Sequence, residues 1–150
     1  MSAKTLSIAL TVPLVAAALG AAFAAPASAQ TCNVAGKAQC ANTTMNWQVK
    51  AHDNLKGSNF KGAKLKGADF RNANLTKANF KGAVLTSADF RNANLTKVNF
   101  TGAKLKYADF TGATMTKAQL TKAKSSNANF TGLGLQKSKL KNGNFENSNF

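Results

Sequence analysis

The chain has 150 residues, with 20 Lys and Arg against 5 Asp and Glu, a formal net charge of +15, one His and two Cys. That length allows one domain. One His and a few scattered acids leave almost no material for a multi-residue catalytic site, and two Cys exclude a four-cysteine zinc site. The charge excludes an acidic surface and favours anionic partners.

Residues 1–29 read as a secretory signal peptide. Lys4 supplies the cationic start, Thr5 to Ala25 is uncharged and rich in Leu, Val and Ala, and Ala27-Ser28-Ala29 forms a small-x-small cleavage site. The rival reading is a retained membrane anchor, because the apolar run is long enough to reach across a bilayer. Pro13, Pro26 and the Ala-Ser-Ala site favour cleavage near Ala29. The chain from Gln30 onward loses only one cation, Lys4, and is expected in the periplasm or outside the cell.

Residues 30–52 form an N-terminal cap. Export into an oxidising compartment predicts that Cys32 and Cys40 pair as a disulfide. Their seven-residue separation does not match the Cys-x-x-Cys spacing of a redox pair. Trp47 is expected to cover the first coil of the repeats that begin at Asp53. A ligand platform at Trp47 or an acid-base or metal role for His52 is the functional alternative to a structural one.

From Leu55 a large apolar residue recurs at every fifth position, alternating Leu and Phe: Leu55, Phe60, Leu65, Phe70 and onward to Phe150, with Ser125 the break. A small residue, usually Ala, stands two positions earlier, and Asn or Asp often lies between. Five residues turn about 500° in an α-helix, so the stripe would drift by about 140° per repeat. In a straight strand, positions five apart point to opposite faces. One buried face therefore needs a bend in every repeat, which is a stacked coil. The run Asp69 to Lys77 recurs as Asp89 to Lys97, so like residues stack when a coil takes twenty residues. The expectation is a square solenoid of about five coils, about 24 Å tall at ~4.8 Å per stacked backbone.

These residues resemble the pentapeptide-repeat family, whose repeat reads A-(D/N)-(L/F)-x-x. The resemblance covers 53–150 and implies an all-β, right-handed quadrilateral β-helix with Leu or Phe at the repeat centre and Ala inside. The residues themselves offer no Ser/His/Asp, Cys/His or paired-carboxylate constellation, so no catalytic residue, cofactor or metal is expected. Some family members imitate DNA and inhibit DNA topoisomerases, which takes an acidic rod in the cytoplasm. The basic charge and the export signal here argue against carrying that activity over.

In the twenty-residue register the outward residues form columns. Lys77, Lys97, Lys117 and Lys137 make one, a candidate anion-binding ladder. Lys61, Lys81 and Lys141 belong to a second column, and Lys64, Lys104 and Lys124 to a third. Stacked ammonium groups ~5 Å apart repel by about 0.8 kcal/mol in water, so the columns are either a solvated, association-resistant face or a docking surface for a polyanion. Anionic partners in an exported setting are phosphorylated envelope glycolipid, anionic lipid headgroups or extracellular nucleic acid bound without sequence preference. The Asp69, Asp89, Asp109 column sits beside Arg71 and Arg91, which favours ion pairs over a calcium ladder. The last coil, Leu135, Leu140, Phe145 and Phe150, presents an apolar end. That end predicts either a tail-to-tail homodimer or a docking place for a protein partner of a structural envelope protein.

Overall fold

A computed structural model describes residues 38–44 and 54–150. Trp47, His52, Cys32 and the candidate leader lie outside the described residues. Within the described residues no helix is long and apolar enough to cross a membrane.

Every β-bridge is parallel and joins a residue to the one twenty positions on, from Gln39 with Asn59 to Asn129 with Asn149. One coil therefore takes twenty residues, in four sides of five. The first side centres on Leu55, Leu75, Leu95, Met115 and Leu135. The second centres on Phe60, Phe80, Phe100, Leu120 and Leu140, the third on Leu65, Leu85, Leu105, Ser125 and Phe145, and the fourth on Phe70, Phe90, Phe110, Phe130 and Phe150. Each side contributes a single bridge and then turns. The sheets are thus ladders of isolated bridges, because a five-residue repeat spends two residues on each corner.

Accounting for backbone N–H groups shows why the repeat has its composition. In the repeat around Leu75, the Leu75 and Lys77 amides donate to the coil above, to Asn94 and Thr96 carbonyls at 2.8 and 2.9 Å. The Asn79 amide donates to the Ser58 carbonyl in the coil below at 2.9 Å, and the Ala78 amide closes the turn on the Leu75 carbonyl, also at 2.9 Å. The fifth amide, Thr76, has no backbone acceptor and donates to the Asn74 side-chain Oδ1 at 3.2 Å. The same Asx turn recurs at Asp69, Asn79, Asp89, Asn94, Asn99, Asp109, Asn129 and Asn144. The Asn or Asp of the repeat is therefore a local acceptor for an amide that the ladder leaves over.

The corner demands a left-handed residue. The second residue after each centre has positive φ, from Asn42 at 58° and Gly57 at 70° to Asn147 at 54°. This matches the third position of a type II turn. Gly and Asn tolerate that region, but Lys, Ser and Tyr also occupy it here.

The interior holds Phe from opposite sides. Down the fourth side the rings stack nearly parallel, Phe70 on Phe90 at 4.9 Å and 5°, Phe90 on Phe110 at 5.0 Å and 2°. Second-side rings stack likewise and meet the fourth side edge to face, as Phe80 meets Phe90 at 5.9 Å and 85°. Rings thus use displaced stacking along the axis and the edge-to-face arrangement across it. Leu residues fill the other two sides, and Ala lies at the narrow corners.

Irregularities gather toward the last coil. Ser125 is wholly buried where a Leu belongs, and its hydroxyl has no hydrogen-bond partner. Leu133 occupies a small site, and Gly143 makes room for the Phe145 ring, which a Cβ there would strike. Ser138 and Ser148 replace Ala and donate to the Met115 and Ser125 carbonyls at 2.5 and 2.6 Å. The register also reaches back to 38–44, within the expected cap. There Cys40 is fully buried below Phe60, and its amide donates to the Asn59 carbonyl at 2.7 Å.

Candidate cationic surfaces and the end coil

The first-side corner carries Lys77, Lys97, Lys117 and Lys137, one above another beyond Gly57. All four are exposed, and all have positive φ, between 59° and 61°. The amides of Lys77, Lys97 and Lys117 are pinned to the coil above at 2.9, 2.9 and 2.8 Å. The side chains therefore leave from fixed points about 4.8 Å apart. Among the described residues no carboxylate stands on this side. Lysine is not what the backbone prefers here: a side chain at φ near 60° costs about 1–2 kcal/mol, which glycine avoids.

The second side bears Lys61, Lys81 and Lys141, joined by Lys122 and Lys139. Lys122 also sits at positive φ, 59°, above Gly62, Gly82 and Gly102. Sequence reading passed over it. The signal was its place in a column otherwise held by Gly and Asn.

Lys64, Lys104 and Lys124 form a column on the third side as expected, with Lys66 and Lys106 beside them. A depression of ≈ 400 Å³ opens there, lined by Thr86, Lys104, Lys106, Lys124, Ser126 and Asn144. Exposed Tyr107 stands at the adjoining corner, also left-handed at 61°, with Lys106 Nζ 4.8 Å from its ring centroid. Lys106 escaped sequence reading because its column is mixed, with Lys66, Thr86, Ser126 and Glu146 at the equivalent positions.

The fourth side is different. Arg71 donates to Asp69 at 2.7 Å and Arg91 to Asp89 at 2.6 Å. Each guanidinium also reaches the Asp of the next coil, Asp89 at 3.7 Å and Asp109 at 3.8 Å. Asp69, Arg71, Asp89, Arg91 and Asp109 thus form a zigzag ion-pair ladder. The Arg71 hydrogen bond holds the Asp69 carboxyl below the usual carboxylate range, against the opposing effect of burial. Arg71 and Arg91 are pushed upward in turn by their hydrogen bonds to Asp69 and Asp89. The Asp column is spent on arginine, as its neighbours predicted. Among the described residues no group of three or more His, Cys, Asp or Glu could hold a metal ion.

At the last coil, Leu135, Leu140 and Phe145 are half-buried, and Phe150 is 60% exposed. Phe150 stacks on Phe130 at 5.0 Å and meets Phe145 at 5.9 Å. Phe145 and Phe150 are thus in contact, while Leu135 and Leu140 centre the other two sides of the same coil.

A four-sided coil of five-residue sides, with Ala inside and Asn or Asp at the bridge, defines a class of repeat scaffold. The family described as Pentapeptide repeats matches residues 54–92 and 93–132 in 8 copies. The chain belongs to that family, whose members fold as right-handed quadrilateral β-helices. A pentapeptide-repeat protein from the Arabidopsis thaliana thylakoid lumen is similar in structure, with 40% identity over 61% of this chain and 66% of its own, at a TM-score of 0.49. HetL, a pentapeptide-repeat protein involved in heterocyst differentiation regulation in the cyanobacterium Nostoc sp. strain PCC 7120, is 21% identical. It matches 75% of this chain and 57% of its own at a TM-score of 0.51. This chain thus spans about two thirds of the first relative and just over half of the second. No curated protein matches the sequence.

Proposed function

We propose that the chain is a non-enzymatic, exported β-helix of about five coils that binds anionic envelope components or other polyanions through its lysine ladders. The observation that carries this reading is the corner column of Lys77, Lys97, Lys117 and Lys137. Four lysines occupy a backbone conformation that glycine fills without strain, and they put like charges on roots about 4.8 Å apart. Both effects oppose folding, so the column is best explained by a use for its charge. In this reading residues 1–29 are removed near Ala29, and Cys32 pairs with Cys40. The complete burial of Cys40, which is not a free thiol, supports the pairing.

The test is sedimentation of the chain with vesicles containing anionic phospholipid, and separately with polyphosphate, at low and high salt. Binding is expected to fall steeply with salt and to be lost when Lys77, Lys97, Lys117 and Lys137 are all replaced by Gln. Binding that ignores salt, or survives the four substitutions, refutes it.

A second reading is favoured by the end coil. Phe150 is 60% exposed beside half-buried Leu135, Leu140 and Phe145, a surface suited to tail-to-tail homodimerisation or to a protein partner. Light scattering that shows a monomer at high micromolar concentration rejects the homodimer. Retention of a protein partner by the four-Gln variant would favour the structural, envelope-associated role.

A further inference from the structure

We infer that the depression on the third side is a discrete binding site for a phosphomonoester. Its lining comes from two columns of outward residues. In one column Lys104 bridges directly to Lys124, with Asn144 next above. In the other, Lys106 lies between Thr86 below and Ser126 above. Bridge-paired residues are about 4.8 Å apart, and residues two apart along one side are about 7 Å apart. Lys104, Lys106 and Lys124 therefore root at the corners of a right triangle with those legs. Three flexible ammonium groups from such roots can converge on one tetrahedral oxyanion.

Donors other than charge complete the set. Thr86, Ser126 and Asn144, each with a side chain able to donate a hydrogen bond, belong to the same lining. Lys106 Nζ lies 4.8 Å from the Tyr107 ring centroid, a weak, exposed contact that leaves the ammonium free to turn to an anion. Tyr107 occupies a left-handed corner, φ 61°, where the equivalent positions below hold Gly67 and Ser87. The largest side chain in that column is thus placed beside Lys106.

Charge narrows the ligand. Glu146 is the one acid on this side among the described residues, and it stands beyond Ser126 at the upper margin. Its carboxylate disfavours an extended polyanion running up the side and confines the anion to the three lysines. The hollow is open to solvent, so a group esterified to the phosphate can extend away from the lysines without a clash. The corner column of Lys77 to Lys137 differs in being a single row of charges beside threonines, with no second lysine column on the same side above Lys56.

The inference rests on the cationic reading of the surface but on a different side of the coil, so the two fail separately. The experiment is a 1H–15N NMR titration of the full chain with glucose 1-phosphate and with inorganic phosphate, ionic strength held constant with NaCl. Saturable shifts confined to amides at 84–86, 104–107, 124–126 and 144 are expected. Lys104→Gln with Lys124→Gln should weaken binding at least tenfold, with core amide shifts unchanged as a control for folding. The variant with Gln at 77, 97, 117 and 137 should bind within twofold of the parent. Shifts that never saturate, or an unaltered dissociation constant in the Lys104, Lys124 variant, overturn the site. Shifts that follow the 77–137 corner overturn it too, while leaving the ladder reading standing.

Discussion

Replacing Lys77, Lys97, Lys117 and Lys137 by glycine is expected to stabilise the fold while abolishing binding to anionic vesicles and polyphosphate. Each of these lysines has φ of 59–61°. A side-chain-bearing residue there is disfavoured by about 1–2 kcal/mol, and the greater unfolded-state freedom of glycine takes back about 0.5–1 kcal/mol. The net gain is ~0.5–1 kcal/mol per site, or about 2–4 kcal/mol for the column. Charge adds to this. Ammonium groups that kept the ~5 Å spacing of their roots would repel by at most about 0.8 kcal/mol in water, and physiological salt roughly halves it. Adjacent pairs along the column then contribute at most about 1 kcal/mol in total.

The matched variant with glutamine at the same positions separates the two effects, because it removes the charge and keeps the left-handed side chains. It should gain at most about 1 kcal/mol, most of which high salt should erase. Urea melts of the parent and both variants make the comparison. With m of about 1–3 kcal/mol/M, the glycine variant should melt at roughly 1–2 M more urea than the glutamine one. A glycine variant no more stable than the glutamine variant would refute the claim that the corner is strained by lysine. If it also kept its binding to anionic vesicles and polyphosphate, the use assigned to the column would fall with it.

The same geometry sets other outcomes. Phe90→Ala, which removes a wholly buried ring stacked on Phe70 and Phe110, should cost about 3–5 kcal/mol by calorimetry. Phe150→Ala, removing a ring already 60% exposed, should cost about 1 kcal/mol or less in the same measurement. Asn94→Ala strips the acceptor from the Thr96 amide at 3.1 Å and should cost about 0.5–1.5 kcal/mol in urea melts, whereas Asn94→Asp should be close to neutral. Asp69 titrates below the ordinary carboxylate range, so its contribution is present above the unfolded-state value near 4 and is lost as pH falls through the lower folded value. Arg71→Gln should raise the Asp69 pKa toward the ordinary range in an NMR pH titration and remove that part of the acid dependence; an unmoved Asp69 would contradict the pairing.

The fold was legible because its determinant is one-dimensional. A period of five excludes helix and strand, and the Leu–Phe alternation with the repeat of Asp69 to Lys77 at Asp89 sets the register, which the bridges reproduce at twenty residues. What periodicity conceals is local. The column of Lys77 to Lys137 is plain in sequence, but its positive φ is a property of the corner, and the sequence shows it only through the Gly, Asn and Lys that share that position. The third-side hollow was hidden for another reason. Its residues come from a column of lysines and from a mixed one, and the mixed column has no repeating signature. Ser125 was visible as a break, whereas the lack of a partner for its hydroxyl depends on what surrounds it.

The distribution of charge around the coil gives the strongest constraint on what the surface does. The fourth side ties Asp69, Asp89 and Asp109 to Arg71 and Arg91 and is nearly neutral. Every lysine of 54–150 lies on the other three sides. If basic charge served solubility alone, nothing would keep one side neutral, and nothing would place lysine rather than glycine at successive left-handed corners. A docking surface accounts for both, because its cations must be left unpaired by carboxylates and must leave from fixed positions. A chain whose first and third sides were neutralised should therefore remain soluble through its second side, yet lose anion binding. If solubility and binding instead declined together in proportion to the lysines removed, whatever their side, the charge would be a general coat and the proposed sites would not exist.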